Sequence, residues 1–167
     1  TGPPLGSSAM RNGKKVVGAK GKLSEPGVCA PFIVNCPGMV PEGVETDALI
    51  HFSDTLPTFV ELGGGETPKD LIIDGTSIPP IILGKNQDNE RQWIMAIGGG
   101  AGRVTKDGVR GAKVFGERVI RDKRFKVWVS EKKKITRLHD LKKDPWEKTN
   151  LLDSELAEHK KALKKFQ

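Results

Sequence analysis

The sequence contains few cysteines and no long apolar run, and both shortages limit its possible classes. Cys29 and Cys36 are the only cysteines in 167 residues, and two such thiols provide neither a disulfide framework nor a tetrahedral metal set. No segment approaches the roughly 20 apolar residues of a membrane span, and the N-terminus has no charged-then-apolar signal arrangement. We therefore expect no membrane partner. Because the chain begins at Thr1, in a segment rich in Gly, Pro and Ser, we also expect a start inside a longer protein.

The charge of the chain is basic, with 28 Lys and Arg against 21 Asp and Glu and a formal net charge of +7. Such a balance suits nucleic acids, anionic surfaces or anionic small substrates, and it does not choose among them. Much of the excess lies after residue 117, but acidic residues are interleaved with nearly all the basic runs. Since a nucleic-acid-binding stripe usually leaves its cations unopposed, the pattern favours a solvated, salt-bridged surface.

The first half of the chain has the alternation of strands and helices that is typical of α/β proteins. Residues 31–36 are an apolar run closed by Pro and Gly, which predicts a buried central strand. Residues 48–52 predict a strand or loop, and residues 53–63 predict a capped helix with an apolar inner face. That inner face consists of Leu56, Phe59, Val60 and Gly63. Residues 64–90 are rich in Gly, Pro, Asp and Asn and predict a long connection, so we place a boundary near residue 90.

The second half predicts a small antiparallel sheet covered by a helix. Short apolar segments separated by turn residues predict a meander of about four strands. A helix then begins at Asp153-Ser154, a good N-cap pair, and carries one apolar stripe. The stripe consists of Leu152, Leu156, His159, Leu163 and Phe166. We expect Leu156 and Leu163 to be buried on the sheet, and His159 to be packed rather than to bind a metal.

Two further patterns suggest chemistry but lack the partners that the chemistry needs. The glycine-rich segment 98–102 precedes no helix-forming run and no Gly-Lys-Ser/Thr sequence, so the helix dipole and the lysine of a phosphate-binding loop are missing. We expect a mobile loop there. His51, His139 and Asp140 have no Ser or Cys at a recognisable spacing for a catalytic triad. We expect them to be polar residues of the surface or core.

The most informative stretch extends from Gly18 to Gly38. It contains Gly18-Ala19-Lys20-Gly21 and Glu25-Pro26-Gly27, then Pro31 and an apolar run that ends at Pro37-Gly38. This stretch resembles the second conserved block of the sulfatase family, Gly-x-Lys-Gly-x-x-x-Glu-Gly-Gly-x-Arg-x-Pro followed by a strand and Pro-Gly. Relative to that pattern, Pro26 replaces a glycine and Cys29 replaces the arginine.

Three later blocks follow in the order of the family. They are similar to its Asp-x-x-Pro-Thr helix, its Asp-Gly-x-Ser segment, and its tail of a strand pair followed by Leu-Tyr-Asp-Leu-x-x-Asp-Pro-x-Glu-x-x-Asn-Leu. The matching residues are Asp54-Thr55-Leu56-Pro57-Thr58 with Glu61-Leu62-Gly63, Asp74-Gly75-Thr76-Ser77, and Arg118 through Trp128 with Leu138 to Glu147 and Asn150-Leu151. With the first block, these matches span about residues 18–152.

The resemblance implies a fold, an activity and a site. Residues 1–90 would be the C-terminal end of the sulfatase α/β catalytic domain, and residues 91–167 a C-terminal subdomain of about four antiparallel strands with one packed helix. The complete protein would hydrolyse sulfate esters. Lys20 matches the lysine that contacts the sulfate and is the predicted catalytic residue, with Lys20 and its neighbour Lys22 as predicted substrate-binding residues. Glu25 is expected to order the loop rather than to act as an acid or base.

The resemblance also implies what this chain does not carry. Cys29-Ala30-Pro31 begins like the nucleophile signature of the family, in which the cysteine is oxidised to formylglycine and Ser and Arg follow the Pro. Here Phe32 and Ile33 follow instead, so we expect Cys29 to be a buried or half-buried thiol without a chemical role. The nucleophile and the Ca²⁺ ligands are expected upstream, in an N-terminal remainder that would be a partner of this chain, and no metal ligand is predicted here.

The expected substrate is a sulfated small molecule or a sulfated carbohydrate, and the resemblance alone suggests a periplasmic or secreted location. Two alternatives remain beside an enzyme fragment. One is a stand-alone binding or structural module derived from a sulfatase, and the other is a basic nucleic-acid-binding protein. An upstream Cys/Ser-x-Pro-x-Arg sequence in the reading frame would favour the enzyme, whereas strong salt-dependent DNA binding would favour the last alternative.

Overall fold

A computed structural model describes residue 4 and residues 6–11, 13–98, 103–110 and 115–167. The chain divides into two compact units. The first unit joins the N-terminal segment up to Pro31 with Met95–Gln167, and the second unit is Phe32–Ile94. The prediction that residues 1–90 are the C-terminal end of the sulfatase α/β catalytic domain, and residues 91–167 a C-terminal subdomain, stays a prediction.

The described elements are short. The strands are β1 Ser8–Arg11, β2 Lys14–Val17, β3 Ile94–Ile97, β4 Arg103–Thr105, β5 Gly108–Arg110, β6 Arg118–Arg121, β7 Phe125–Val129 and β8 Ile135–Asp140. The helices are α1 Glu25–Val28, α2 Thr55–Leu62, α3 Pro79–Ile82 and α4 Ala157–Lys165, and Phe52–Asp54 is a 3₁₀ turn. Among the described residues, no helix combines the length and the apolar character that crossing a membrane requires.

The predicted antiparallel sheet is confirmed. Its four strands lie in the order β3-β6-β7-β8, and β1-β2 and β4-β5 form separate two-stranded hairpins. In the antiparallel pairs, Val119 lies opposite Trp128 and Val127 opposite Leu138. The sequence also predicts a short strand-like segment from Val109 to Phe115, and residues 111–114 of it lie outside the described residues.

The core of the first unit lies between this sheet and α4. Val127 and Leu138 are both 0% exposed, and they form one cluster with Phe125 and Ala162. Leu163 and Phe166 pack against the cluster and are partly buried, as the predicted stripe requires. His159 is buried, and its ring lies edge-on to Phe125 with the ring centroids 6.1 Å apart. The predicted helix therefore covers the sheet, and His159 is a packed residue.

Two details of the predicted helix are wrong. It begins at Ala157 rather than at Asp153-Ser154, and Leu156 is 57% exposed rather than buried. The cause is the backbone: Leu156 is the N-cap, with extended dihedrals of φ −62° and ψ 131°, so its side chain is not in phase with the helical stripe. The Ser154 hydroxyl bonds instead to Nδ1 of His159 at 2.7 Å and fixes the preceding turn.

The chain after β8 forms a turn that Asp140 organises. Oδ2 of the buried Asp140 accepts two bonds from the Arg124 guanidinium, at 3.0 and 2.6 Å, and Oδ1 accepts bonds from the backbone N–H groups of Lys142 and Lys143. Burial raises the pKa of Asp140, but these bonds outweigh burial and hold the pKa below its ordinary value. Nδ1 of His139 lies 2.8 Å from the carbonyl oxygen of Thr149. His139 and Asp140 are thus structural, as the sequence predicts.

A buried carboxylate also organises the second unit. Asp54 is 0% exposed, and it accepts hydrogen bonds of 2.8 Å from the backbone N–H groups of His51 and Thr76 and pairs with the Arg91 guanidinium. A side chain at position 75 would place Cβ 2.0 Å from the carbonyl oxygen of Ser53, so this approach requires Gly75. The Asp-x-x-Pro-Thr and Asp-Gly-x-Ser blocks therefore hold each other.

The predicted inner face of α2 is wrong. Pro57 and Thr58 are the buried residues of this helix, whereas Leu56 and Phe59 are largely exposed. The buried face is fixed by polar contacts, because the Thr58 hydroxyl donates to the carbonyl oxygen of Asp54 and accepts from the N–H of Ile78 at 3.1 Å. The predicted long connection after α2 contains one short helix, α3.

The predicted buried strand at residues 31–36 is also wrong. These residues have no regular secondary structure, and all of them are exposed, Ile33 by 85%. A central strand needs hydrogen-bonded neighbours on both sides. No strand of the described part of the chain pairs with this segment, so its apolar side chains remain at the surface of the second unit.

The corrected helix phase gives a testable contrast between two leucines. Leu138→Ala should lower the free energy of unfolding by about 2–5 kcal/mol, because it leaves a cavity at a fully buried site. Leu156→Ala should change it by less than about 1 kcal/mol, since the side chain is largely exposed. Urea unfolding followed by circular dichroism measures both values, and equal losses would contradict the described start of α4.

Candidate functional site

Both predicted site lysines lie on one tight turn. The N–H of Lys22 donates to the carbonyl oxygen of Ala19 at 2.9 Å, and Gly21 has φ +82°, a conformation that glycine adopts without strain. Lys20 precedes this glycine in the turn, and the side chains of Lys20 and Lys22 are both exposed. An exposed ammonium on a closed turn can approach an anion in solvent. The roles of Lys20 and Lys22 toward sulfate stay predictions.

The turn rests directly on α1. A Cβ on Gly27 would lie 2.2 Å from the carbonyl oxygen of Lys22 and 2.4 Å from that of Ala19, so any larger residue would push the turn away. Pro26 lies in the first turn of α1, where its missing N–H breaks no helical hydrogen bond. The replacement of a family glycine by Pro26 is therefore compatible with the local structure.

A buried lysine holds this assembly onto the sheet. Lys126, in the middle of β7, is 0% exposed. Its ammonium Nζ donates to the carbonyl oxygen of Leu23 at 2.8 Å and lies 3.0 Å from Oε1 of Glu25 and 3.0 Å from Oε1 of Glu147. The three partners use all three donors of the ammonium group, as a buried charge requires.

The two glutamates extend the network on both sides. Oε2 of Glu147 accepts the backbone N–H of Glu25 at 2.6 Å, and Oε1 accepts the indole N–H of Trp128 at 3.0 Å. Oε2 of Glu25 pairs with the Arg121 guanidinium at 2.7 Å. Two cations thus face two carboxylates. Glu147 holds its position with a backbone φ of +53°, a left-handed conformation that costs energy for a residue with a side chain.

Sequence reasoning missed the role of Lys126. The alternation along β7 places Lys126 and Trp128 opposite the apolar core face, which predicts a solvated lysine. In the structure, residues 23–25 and Glu147 cover that second face, and Lys126 becomes fully buried. A signal was present, because Glu25, Lys126 and Glu147 all lie within the matched blocks. Glu25 orders the loop, in agreement with its expected role.

The predicted burial of Cys29 is wrong, because both cysteines are exposed. Cys29 follows the last residue of α1 with an extended backbone, and its N–H donates to the carbonyl oxygen of Glu25 at 2.8 Å. The chain then leaves the unit at Pro31, and no element among the described residues covers the thiol. Of the predicted mobile loop 98–102, only Gly98 lies within the described residues, and its N–H donates to the carbonyl oxygen of Glu117 at 2.7 Å.

The described residues do not fit the metal or the modified nucleophile that a sulfatase uses. Within the described ranges, no three His, Cys, Asp or Glu side chains form a group that could hold a metal ion. A calcium site needs several oxygen ligands around one point, and the carboxylates of the network are already bonded to cations and N–H groups. The segment after Pro31 supplies neither the Ser nor the Arg of the nucleophile signature.

Comparisons with known proteins agree with the resemblance that the conserved sequence blocks indicate. The chain is 32% identical to the ulvan-active sulfatase of Formosa agariphila over 110 residues, which are 66% of this chain and 20% of that protein. It is 34% identical to the steryl-sulfatase of Rattus norvegicus over 77 residues, 46% of this chain and 13% of that protein. The chain therefore spans a fifth or less of the length of these relatives. No family model matches it.

The fold also has a solved counterpart. A Bacteroides thetaiotaomicron structure described with the metabolism of multiple glycosaminoglycans superposes with a TM-score of 0.55 and 25% sequence identity, over 77% of this chain and 27% of that chain.

The ion-pair network predicts that removing the buried charge of Lys126 strongly destabilises the fold. Lys126→Met should lower the free energy of unfolding by about 3–5 kcal/mol, because two poorly exposed carboxylates lose their shared cation. Lys132→Met, at an exposed position, is the matched control and should change it by less than about 0.5 kcal/mol. Adding Glu147→Gln to Lys126→Met should recover part of the loss. Equal stabilities of the Lys126 and Lys132 variants in urea would show that the network does not hold the fold.

Proposed function

Since this chain is homologous to the C-terminal region of sulfatases, we propose that it is the C-terminal part of an enzyme that hydrolyses sulfate esters. In the proposal, Lys20 contacts the sulfate group in the complete enzyme. The observation that carries the proposal is the Lys20 turn. It is exposed, and the segment that follows it is held to the sheet by the buried contacts of Lys126 with Leu23, Glu25 and Glu147.

The chemistry of sulfate transfer suits a lysine held in this way. Negative charge on the sulfate oxygens and on the leaving oxygen must be stabilised as the S–O bond breaks. An ammonium is a compact charge with three donors and can serve several oxygens of a tetrahedral anion. Because Gly27 and Glu25 fix the turn from below, the backbone of Lys20 is held in place before substrate arrives, and only the side chain has to be ordered.

The remaining chemistry belongs to other segments in this proposal. Formylglycine would supply the nucleophile and Ca²⁺ would polarise the sulfate oxygens, and we place neither on the described residues. The 167-residue chain alone is then inactive. This division agrees with the 13–20% of the relatives' length that the chain spans.

The exposed apolar surface of the second unit supports the proposal that this chain is part of a larger protein rather than a stand-alone module. Large apolar side chains lie at this surface, with Ile72 98% and Ile33 85% exposed and Phe52 and Phe59 also largely exposed. Exposed apolar groups of this size are commonly covered by another protein segment. In our proposal, the remainder of the sulfatase α/β domain covers these side chains and pairs with residues 31–36.

The ion pairs on the surface of the first unit weigh against nucleic-acid binding. Several surface lysines are opposed by acids: Lys143 pairs with Glu158, Lys160 with Glu155 and Lys165 with Asp122. A sulfated carbohydrate or a sulfated small molecule is the substrate class we propose. The ulvan-active relative, matched over the larger share of this chain, favours the carbohydrate.

The first test is activity of the chain alone. We expect no hydrolysis of 4-nitrophenyl sulfate above the uncatalysed rate, because no described residue group supplies the nucleophile or the metal site. Joining the chain to the upstream part of its reading frame should restore turnover. Turnover by the 167-residue chain that survives repurification and disappears in Lys20→Ala would contradict the proposed division.

The second test separates the residues of the turn in the complete enzyme. Lys20→Ala should lower kcat/KM by on the order of 10²-fold or more, the scale of losing one charge-stabilising donor. Lys20→Arg should recover only part of the rate, since a planar fork replaces a compact ammonium. Cys29→Ser should leave kcat/KM nearly unchanged.

Lys22→Ala is the matched control, since Lys22 is an equally exposed lysine on the same turn. It should lower kcat/KM less than Lys20→Ala does. If Cys29→Ser abolishes turnover while Lys20→Ala does not, the assignment of the site is wrong.

A further inference from the structure

A cavity of about 540 Å³ opens in the first unit, between the sheet and the end of α4. Its floor is apolar and includes five partly buried side chains that pack against the core: Ile120, Val129, Ile135, Leu163 and Phe166. A volume of this size is within the range of pockets that bind small molecules. Neither Lys20 nor Lys22 lines it.

The rim of the cavity is cationic. Arg118, Lys133 and Lys134 all line it. Arg118 and Lys133 share one aromatic ring, because the Arg118 guanidinium carbon lies 3.5 Å and the Lys133 ammonium 5.5 Å from the centroid of Phe115. No acidic side chain within the described residues forms an ion pair with any of these three cations. The cations next to the ring therefore repel each other, and a bound anion would relieve that repulsion.

The backbone at Lys133 is strained in a way that favours a role for its side chain. Lys133 has φ +59°, in the hairpin turn between β7 and β8, where its N–H donates to the carbonyl oxygen of Ser130 at 2.9 Å. Glycine is the usual residue at a left-handed position of such a turn, and a side chain there costs energy. The position thus keeps an ammonium at the rim where glycine would be more stable.

We propose that this cavity binds a single-headed amphipathic anion, with its alkyl or aryl tail on the apolar floor and its carboxylate or sulfate head between Arg118 and Lys133. The two parts of the site match the two parts of such a ligand. A neutral apolar molecule would leave the cations unopposed, and a small inorganic anion would leave the floor in water.

The test uses the full chain and isothermal titration calorimetry with octanoate, octyl sulfate, decanoate and 1-octanol, each below its micelle concentration or solubility limit. Octanoate or octyl sulfate should bind at least fivefold more tightly than 1-octanol, and the stronger of the two identifies the preferred head group. Decanoate should bind up to about 15-fold more tightly than octanoate, since each buried methylene contributes a factor of about four. Raising the salt concentration should weaken the binding of the three anions and leave the binding of 1-octanol unchanged.

The variant Lys133→Gly gives the decisive measurement, because its two effects have opposite signs. It should weaken octanoate binding by about fivefold, the scale of one partly exposed ion pair, while it raises the urea midpoint of unfolding by relieving the left-handed backbone. Lys132→Gln is the matched control in the same turn, does not line the cavity, and should leave binding unchanged. Equal affinities for octanoate and 1-octanol, or unchanged binding by Lys133→Gly, would overturn the proposal.

Discussion

The ammonium group of Lys126 is the charge on which the first unit depends. An unpaired ammonium in a protein interior is very costly, so the chain around it must supply acceptors from every side. The acceptors come from residues far away in sequence: Glu25 is 101 positions distant from Lys126. Satisfying this one group fixes the path of residues 23–25, the tail around Glu147 and, through Gly27, the turn that carries Lys20.

Elements whose partners lie within the chain could be predicted from the sequence. The short apolar segments after residue 90 and the stripe of α4 led to the observed sheet and its covering helix, because both sides of that core are present. Predictions failed where no element of the described residues packs against the predicted apolar face. The apolar run at 31–36 and the Leu56 and Phe59 face of α2 have the composition of buried elements, yet they lie at the surface.

Lys20 and Lys126 also differ in how far the sequence could predict their roles. Lys20 could be found because a family pattern marks it, and the turn chemistry around Gly21 explains its exposure. Lys126 could not be found from periodicity, since alternation assumes that one face of a strand is solvated. Only a third element on that face makes the lysine internal, and a strand pattern contains no information about distant elements.

The first unit is discontinuous, with its two pieces separated by the whole of Phe32–Ile94, and this gives the chain an order of assembly. A ribosome adds about 5–20 residues per second, so Lys126 emerges some 5–20 seconds after Glu25, which precedes it by 101 residues. Until then Glu25, in α1, lacks the Lys126 ammonium as its ion-pair partner. The N-terminal piece of this unit therefore takes its final position only after the C-terminal sheet has been made, and the Lys20 turn becomes rigid at the same time.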